Sequence, residues 1–222
     1  MGHTVTHKET ADSRNSLRHR LDAVGSFFEF VYFSVDDKAL IDTSLHKIAL
    51  SKLYEEITAS QREWHRRIVN ELQVADYPEP YMIWNVDEAA WKALNRKQIG
   101  KLLKTDDGSS ERPPLYDDFC NSLDLSKCDE LASCRRALFR EWTEALGLIE
   151  SNDVVVLDWS STIEPGSLDC SEQKIHTDWT DFFLGRLVKR VWCLTIWNPE
   201  KRTMAALAAC TVEPSQIYAL AT

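Results

Sequence analysis

Glycine and proline are scarce in this chain, with 7 of each among 222 residues. The glycines stand at positions 2, 25, 100, 108, 147, 166 and 185, a spacing that contains no GxGxxG, no GxSxG and no phosphate-binding loop. This scarcity argues against a Rossmann-type dinucleotide site, against the nucleophile turn of an α/β-hydrolase and against a P-loop ATPase.

Export signals and long apolar runs are also lacking. The N-terminal stretch MGHTVTHKETADSRNS is polar, and the densest apolar run, FFEFVYFSV at 27–35, is too short to span a bilayer and contains Glu29. We therefore expect a cytoplasmic protein whose six cysteines are reduced thiols. The cysteines form no CxxC pair and match no zinc-finger spacing, so the sequence predicts neither a structural metal nor another cofactor.

Positive charge is deficient in the second half of the chain. Residues 1–104 hold 15 Lys and Arg against 15 Asp and Glu, whereas residues 105–222 hold 11 against 20 and so carry the whole net charge of −9. Within 150–185 there are eight acids and one base, Lys174. Such a block repels nucleic acid and anionic membranes and attracts a basic protein partner. An ordinary solvated acidic face is the alternative interpretation.

Helical spacing dominates the first half of the sequence. Apolar residues recur at three- and four-residue steps over 14–24 and 39–74, and the aromatic run 27–35 between them predicts a strand. PYMIWNV at 80–86 predicts a strand that leads into a helix over the next stretch, to about 103, with Trp91 and Leu94 on its buried side and a possible break near Asn95.

The second half predicts one long helix followed by strands. Residues 127–146 have a clear apolar stripe that ends at Gly147, and 153–159, 191–197, 203–212 and 215–221 predict strands, the middle two as a hairpin. The arm at 203–212 is rich in alanine, and a helix is the alternative for it. The fold class is therefore α+β, with a helix-rich N-terminal half packed on a C-terminal, mainly antiparallel β-sheet.

The polar stretch at 104–114 is the best internal linker because it carries both glycine and proline and marks the change in charge balance. It predicts a charge-neutral, helix-rich sub-domain at 1–104 and an acidic α+β sub-domain at 105–222. One continuous domain is the alternative.

The stretch SEQKIHTDWTDFF at 171–183 concentrates ionisable and aromatic side chains. His176 and Asp178 could supply two ligands of a metal triad, but no histidine follows them to complete it, and no metal site is predicted. Asp158, His176 and Asp178 could instead perform acid–base chemistry, which makes a hydrolase or transferase an alternative function. An aspartate at a strand end, such as Asp158, is as often a turn former.

Aromatic residues bordered by carboxylates are also typical of protein interfaces. Several of these aromatics must pack in the core of a chain this size, and WTDFF at 179–183 is the stretch expected to be partly exposed. The predicted partner-binding residues are Asp158, Trp159, Glu164, Asp169, Glu172, His176, Asp178, Trp179, Asp181, Phe182 and Phe183.

The sequence as a whole predicts a non-enzymatic acidic binding protein, most specifically an inhibitor of the immunity or antitoxin type that occludes a basic toxic effector enzyme. No nucleic acid or membrane partner is expected, and the free protein is expected to be a monomer or a homodimer. A homodimeric structural or regulatory protein is the further alternative, besides the hydrolase or transferase.

Overall fold

A computed structural model of the chain describes residues 10–73, 78–105, 114–123, 131–160, 179–182 and 188–212. Its centre is a five-stranded sheet in the order β1-β5-β4-β3-β2, in which every neighbouring pair is antiparallel. The strands are β1 (Glu29–Ser34), β2 (Lys92–Leu94), β3 (Val155–Asp158), β4 (Val188–Asn198) and β5 (Thr203–Val212).

Helices cover both faces of this sheet. They are α1 (Thr10–Ala23), α2 (Thr43–Leu72), α3 (Arg96–Leu103), α4 (Pro114–Ser122) and α5 (Leu131–Ala145), with a short 3-10 turn at Val86–Glu88. Among the described α-helices, the long helix α2 is the one that packs against one face, which we call the α2 face. Buried side chains from α1, α3, α4 and α5 pack against the opposite face, which we call the four-helix face.

Strand alternation explains why the sheet can be covered on both sides. In β1, Phe30 and Tyr32 point to the four-helix face, whereas Val31 and Phe33 point to the α2 face. Both sets are apolar, so the run reads as continuously hydrophobic, as expected for a strand buried on both faces. β5 follows the same rule with alanines on each side, whose small side chains leave room for close packing of the layers.

The α+β prediction is confirmed, since helices dominate the first half of the chain and the main hairpin of the sheet, β4 with β5, lies in the second. The alanine-rich stretch is a strand, as predicted. The sheet also recruits β1 and β2 from the region before residue 104, which pair with β5 and β3. Strands from both sides of the predicted linker therefore share one sheet.

Two details differ from the prediction. The stretch before 103 is not one helix, because Asn95 ends β2 and begins α3 through a capping box with Gln98, and each side chain of that pair accepts a hydrogen bond from the backbone of the other. Trp91 consequently lies beside a strand and is exposed. Helix α4 had no clear signal, since its nine residues give only two turns of periodicity. The predicted strand at 215–221 lies outside the described residues.

Candidate partner-binding surface

About half of the predicted partner-binding residues can be placed. Glu164, Asp169, Glu172, His176, Asp178 and Phe183 lie outside the described residues. The other five, Asp158, Trp159, Trp179, Asp181 and Phe182, belong to the described part of the chain. They take three different roles.

Trp159 and Trp179 are core residues. Both are fully buried on the α2 face of the sheet. The Trp159 indole Nε1 donates to the hydroxyl oxygen of Thr195 at 2.8 Å, which accounts for its polar atom. Neither side chain is available to a partner in this conformation. Trp159 and Trp179 are therefore among the several aromatic residues that the sequence predicts to pack in the core.

Asp158 closes a turn at the end of β3. Its carboxylate accepts hydrogen bonds from the backbone N–H of Ser160 at 2.8 Å and from the Ser160 hydroxyl at 2.5 Å. Aspartate commonly bonds the backbone two residues ahead in this way. The contacts of Asp158 are thus those of a turn former, and its proposed acid–base partners, His176 and Asp178, lie outside the described residues.

Asp181 joins the segment 179–182 to the segment around Ile83 by hydrogen bonds. The Ile83 N–H donates to the Asp181 carboxylate at 2.8 Å, and the Asp181 N–H donates to the Ile83 carbonyl at 3.3 Å. Trp84 and Thr180 form an antiparallel bridge between the same two segments. The part of WTDFF that is described therefore holds the stretch YMIW in an extended conformation.

A cluster of aromatic rings packs around Trp84, where the two segments pair. The Trp84 ring lies 5.2 Å from that of Trp179, 6.0 Å from that of Phe182 and 5.9 Å from that of Tyr54 on α2. The Tyr54 hydroxyl donates to the Met82 carbonyl at 3.3 Å. Edge-to-face and stacked ring contacts of this kind each add stabilisation beyond simple burial, so the segment is mounted on a packed base.

The outer side of the segment is apolar and exposed. Because side chains of an extended chain alternate, Met82 and Trp84 turn inward and Tyr81 and Ile83 turn outward. Tyr81 is 85% exposed and Ile83 is 48% exposed. We call these two side chains the 81–83 ridge. The prediction missed the ridge because the alternation in PYMIWNV indicated a strand without showing which of its faces is covered.

Acidic residues predominate in the segment that carries the ridge. Residues 78–88 contain Glu79, Asp87 and Glu88 and no lysine or arginine, and the Asp181 carboxylate accepts from the Ile83 N–H. Two of these acids are paired with cations of α2: Arg62 lies 3.0 Å from Glu79, and Lys47 lies 3.4 Å from Asp87. The segment itself therefore contributes negative charge and no positive charge.

The described members of the predicted acidic block belong to different parts of the fold. Glu150 lies 3.5 Å from Arg96 of α3, Asp153 and Asp158 lie near opposite ends of β3, and Asp181 lies at the ridge. The other four acids of the block lie outside the described residues. Among the described acids of the block, Asp181 is the one that contacts the segment of the 81–83 ridge, through the Ile83 N–H.

The described residues contain no group of three or more His, Cys, Asp or Glu that could hold a metal ion. Cys193 is buried between the strands and α2, and burial raises the pKa of its thiol, which makes it a poor nucleophile. Across the same residues, no helix combines the length and apolar character needed to cross a bilayer.

Comparison with known proteins assigns no family to the chain. No protein-family model matches the sequence, and no curated protein matches it. Among solved structures, the crystal structure of citrus MAF1 is 11% identical, and the match covers 89% of this chain and 99% of that chain with a TM-score of 0.35. A TM-score of 0.35 is too low to carry an argument about fold family or function.

Proposed function

We propose that the chain acts by binding and not by catalysis, as an inhibitor that covers the positively charged site of a basic effector enzyme. The specific form we propose is an immunity-type or antitoxin-type inhibitor. The observation that supports this most directly is the 81–83 ridge, where an exposed tyrosine and isoleucine lie in a segment that carries three carboxylates and no lysine or arginine.

The chemistry of the ridge fits a protein partner of positive charge. Tyrosine is enriched among the few residues that supply most of the affinity of an interface, because it combines a large apolar ring with a hydrogen-bonding hydroxyl. Carboxylates around such an anchor raise the rate of encounter with a basic surface and disfavour acidic competitors. The net charge of −9 acts in the same direction at longer range.

The segment that carries the ridge is also preorganised for binding. Asp181 and the rings beneath Trp84 hold the segment extended before any partner arrives. A preorganised segment loses less conformational entropy on association, so more of the contact energy remains as affinity.

The direct test is affinity capture from the native cell with three forms of the full chain. The wild-type protein and Leu40→Ala should retain the same basic partner, because Leu40 is a comparably exposed apolar residue outside the ridge, at 66% exposure. The double variant Tyr81→Ala, Ile83→Ala should lose it. Circular dichroism of all three forms checks that the double variant is folded.

The captured partner then decides between inhibition and mere association. Purified partner enzyme should lose activity on addition of one equivalent of the chain, and the inhibition should weaken as salt rises from 50 to about 500 mM because the carboxylates are screened. A partner that binds the double variant as tightly as wild type, or an enzyme that stays active in the complex, would show that the proposal is wrong.

A further inference from the structure

The outer edge of the sheet at β2 presents backbone groups for pairing. Within the described ranges β2 pairs only with β3, and it is the last strand in the sheet order. The Trp159 backbone N–H donates to the Cys193 carbonyl at 2.8 Å. In an antiparallel strand every second residue bonds to the same neighbour, so Leu157 and Val155 also direct their backbone groups to β4. The residues between them, Asp158 and Val156, direct theirs to β2.

This alternation decides which groups of β2 face outward. The β2 partners of Asp158 and Val156 are Lys92 and Leu94, so the backbone groups of these two point to β3. Ala93 lies between them, and its N–H and C=O point away from the sheet. An outward pair of this kind is the template on which an additional strand can form.

The two faces beside this edge differ in chemistry. Ala93 lies on the α2 face, because its partner Leu157 does. Trp91, two residues before Ala93, and Val155, two residues before Leu157, lie on the same face. Trp91 is 44% exposed and Val155 is 41% exposed, and the strands against which α2 mainly packs are β5, β1 and β4. The α2 face of the edge is therefore apolar.

The four-helix face of the same edge is basic. Lys92 points to that face, and α3, which begins two residues after β2, exposes Arg96, Lys97 and Lys101. Residues 92–104 contain five lysines and arginines and no aspartate or glutamate. Arg96 lies 3.5 Å from Glu150, and Asp158 of β3 stands directly opposite Lys92, so two of these five positive charges have an acidic neighbour.

We propose that β2 accepts an extended segment of another protein as an additional antiparallel strand, and that this segment alternates acidic and apolar residues. Its acidic side chains lie beside Lys92 and α3, and its apolar side chains lie beside Trp91, Ala93 and Val155. The antiparallel direction follows the other pairs of the sheet. A second copy of β2 does not fit this description, because pairing would bring two lysine-rich edges together.

A peptide occupant is favoured over a nucleic acid by the backbone edge. Phosphates would use the cations of α3 and leave the Ala93 N–H and the apolar face without a role. The residues of this edge do not include Tyr81 or Ile83, so the substitutions that test the two proposals are different and each proposal can fail without the other.

The test uses labelled heptapeptides and the full chain, with fluorescence polarisation as the measurement. The probe Val-Glu-Val-Glu-Val-Glu-Val should bind at least tenfold more tightly than a peptide of the same composition with its valines and glutamates in two blocks. The corresponding valine–lysine peptide should bind at least tenfold more weakly than the glutamate probe. Equal binding of the alternating and blocked peptides would contradict the proposal.

N-methylation of the peptide tests the hydrogen bonds without altering the protein. A residue opposite Ala93 in a hydrogen-bonded antiparallel pair has its side chain on the same face as Ala93, so the valine N–H groups should point to β2. Methylation of the valine nitrogens should weaken binding at least tenfold, and methylation of the glutamate nitrogens should leave it within about twofold. The reverse result, or no difference, would contradict antiparallel addition.

Charge reversal on the protein completes the test. Lys97→Glu with Lys101→Glu should weaken the glutamate probe at least tenfold, whereas Lys38→Glu, an exposed lysine elsewhere, should change it less than twofold. A single-stranded oligonucleotide that displaces the probe as effectively as unlabelled peptide would overturn the proposal, because it would show a purely electrostatic anion site.

Discussion

Protonation of His46 should destabilise the fold, because the ring is buried and a charged ring would lose its hydration there. His46 Nδ1 lies 2.7 Å from the Thr195 hydroxyl oxygen, and the Trp159 indole donates to the same oxygen at 2.8 Å. An indole N–H can only donate, so the hydroxyl oxygen accepts from Trp159 and keeps one proton and one further lone pair for its contact with His46. Protonation of the ring would place a positive charge in a buried site where, among the described residues, no carboxylate hydrogen-bonds to the ring.

The magnitude follows from the pKa. Burial lowers the pKa of His46 from 6.5 to about 4, although the nearby Asp42 carboxylate opposes the shift. Between these values the unfolded chain binds a proton that the folded protein does not, so stability falls as pH falls. Linkage then predicts a loss of about 2.5 kcal/mol between pH 7.5 and 4.5, most of it developing below pH 6.5.

Urea unfolding at pH 7.5, 6.5, 5.5 and 4.5 measures this loss as a difference between proteins. The free energy of unfolding of wild type should fall by about 2.5 kcal/mol more than that of His46→Gln, whose side chain can still hydrogen-bond to Thr195 but cannot titrate. Carboxylate titration contributes equally to both and cancels. His19→Gln, which removes an exposed histidine, should keep the wild-type pH dependence. Parallel curves for wild type and His46→Gln would refute the reasoning.

Two further substitutions test the packing between helices and sheet. Asp118→Ala should lower the free energy of unfolding by about 3 kcal/mol in urea titrations, because the buried carboxylate accepts from the Arg190 guanidinium and the Trp192 indole, each at 2.7 Å, and both donors would be left without it. A loss below about 1 kcal/mol would contradict that role. Gly147→Ala should cost at least about 2 kcal/mol, since the residue has φ of 71° and a Cβ there would lie 2.8 Å from the Cβ of Asn198. An unchanged midpoint in thermal unfolding would show that the α5 terminus adjusts freely.

Local periodicity was sufficient for the long elements. α2 and α5 could be predicted because each repeats its apolar positions over four or more turns, and β1 because its run is apolar on both faces. β2 and α3 could not be separated, since three strand residues and eight helix residues leave too little of either period. The end of α5 at Gly147 followed from backbone chemistry alone, and the structure places that glycine at a left-handed φ.

Composition and spacing by themselves determined the α+β class and the position of most helices and strands, because these depend on side-chain periods and backbone preferences within short windows. Only the tertiary structure decided which aromatics are covered. Trp179 and Tyr81 are both large aromatics in acidic surroundings, yet α2 and the sheet bury the first and leave the second exposed. Exposure depends on what packs against a residue from distant parts of the chain, and a local pattern does not contain that information.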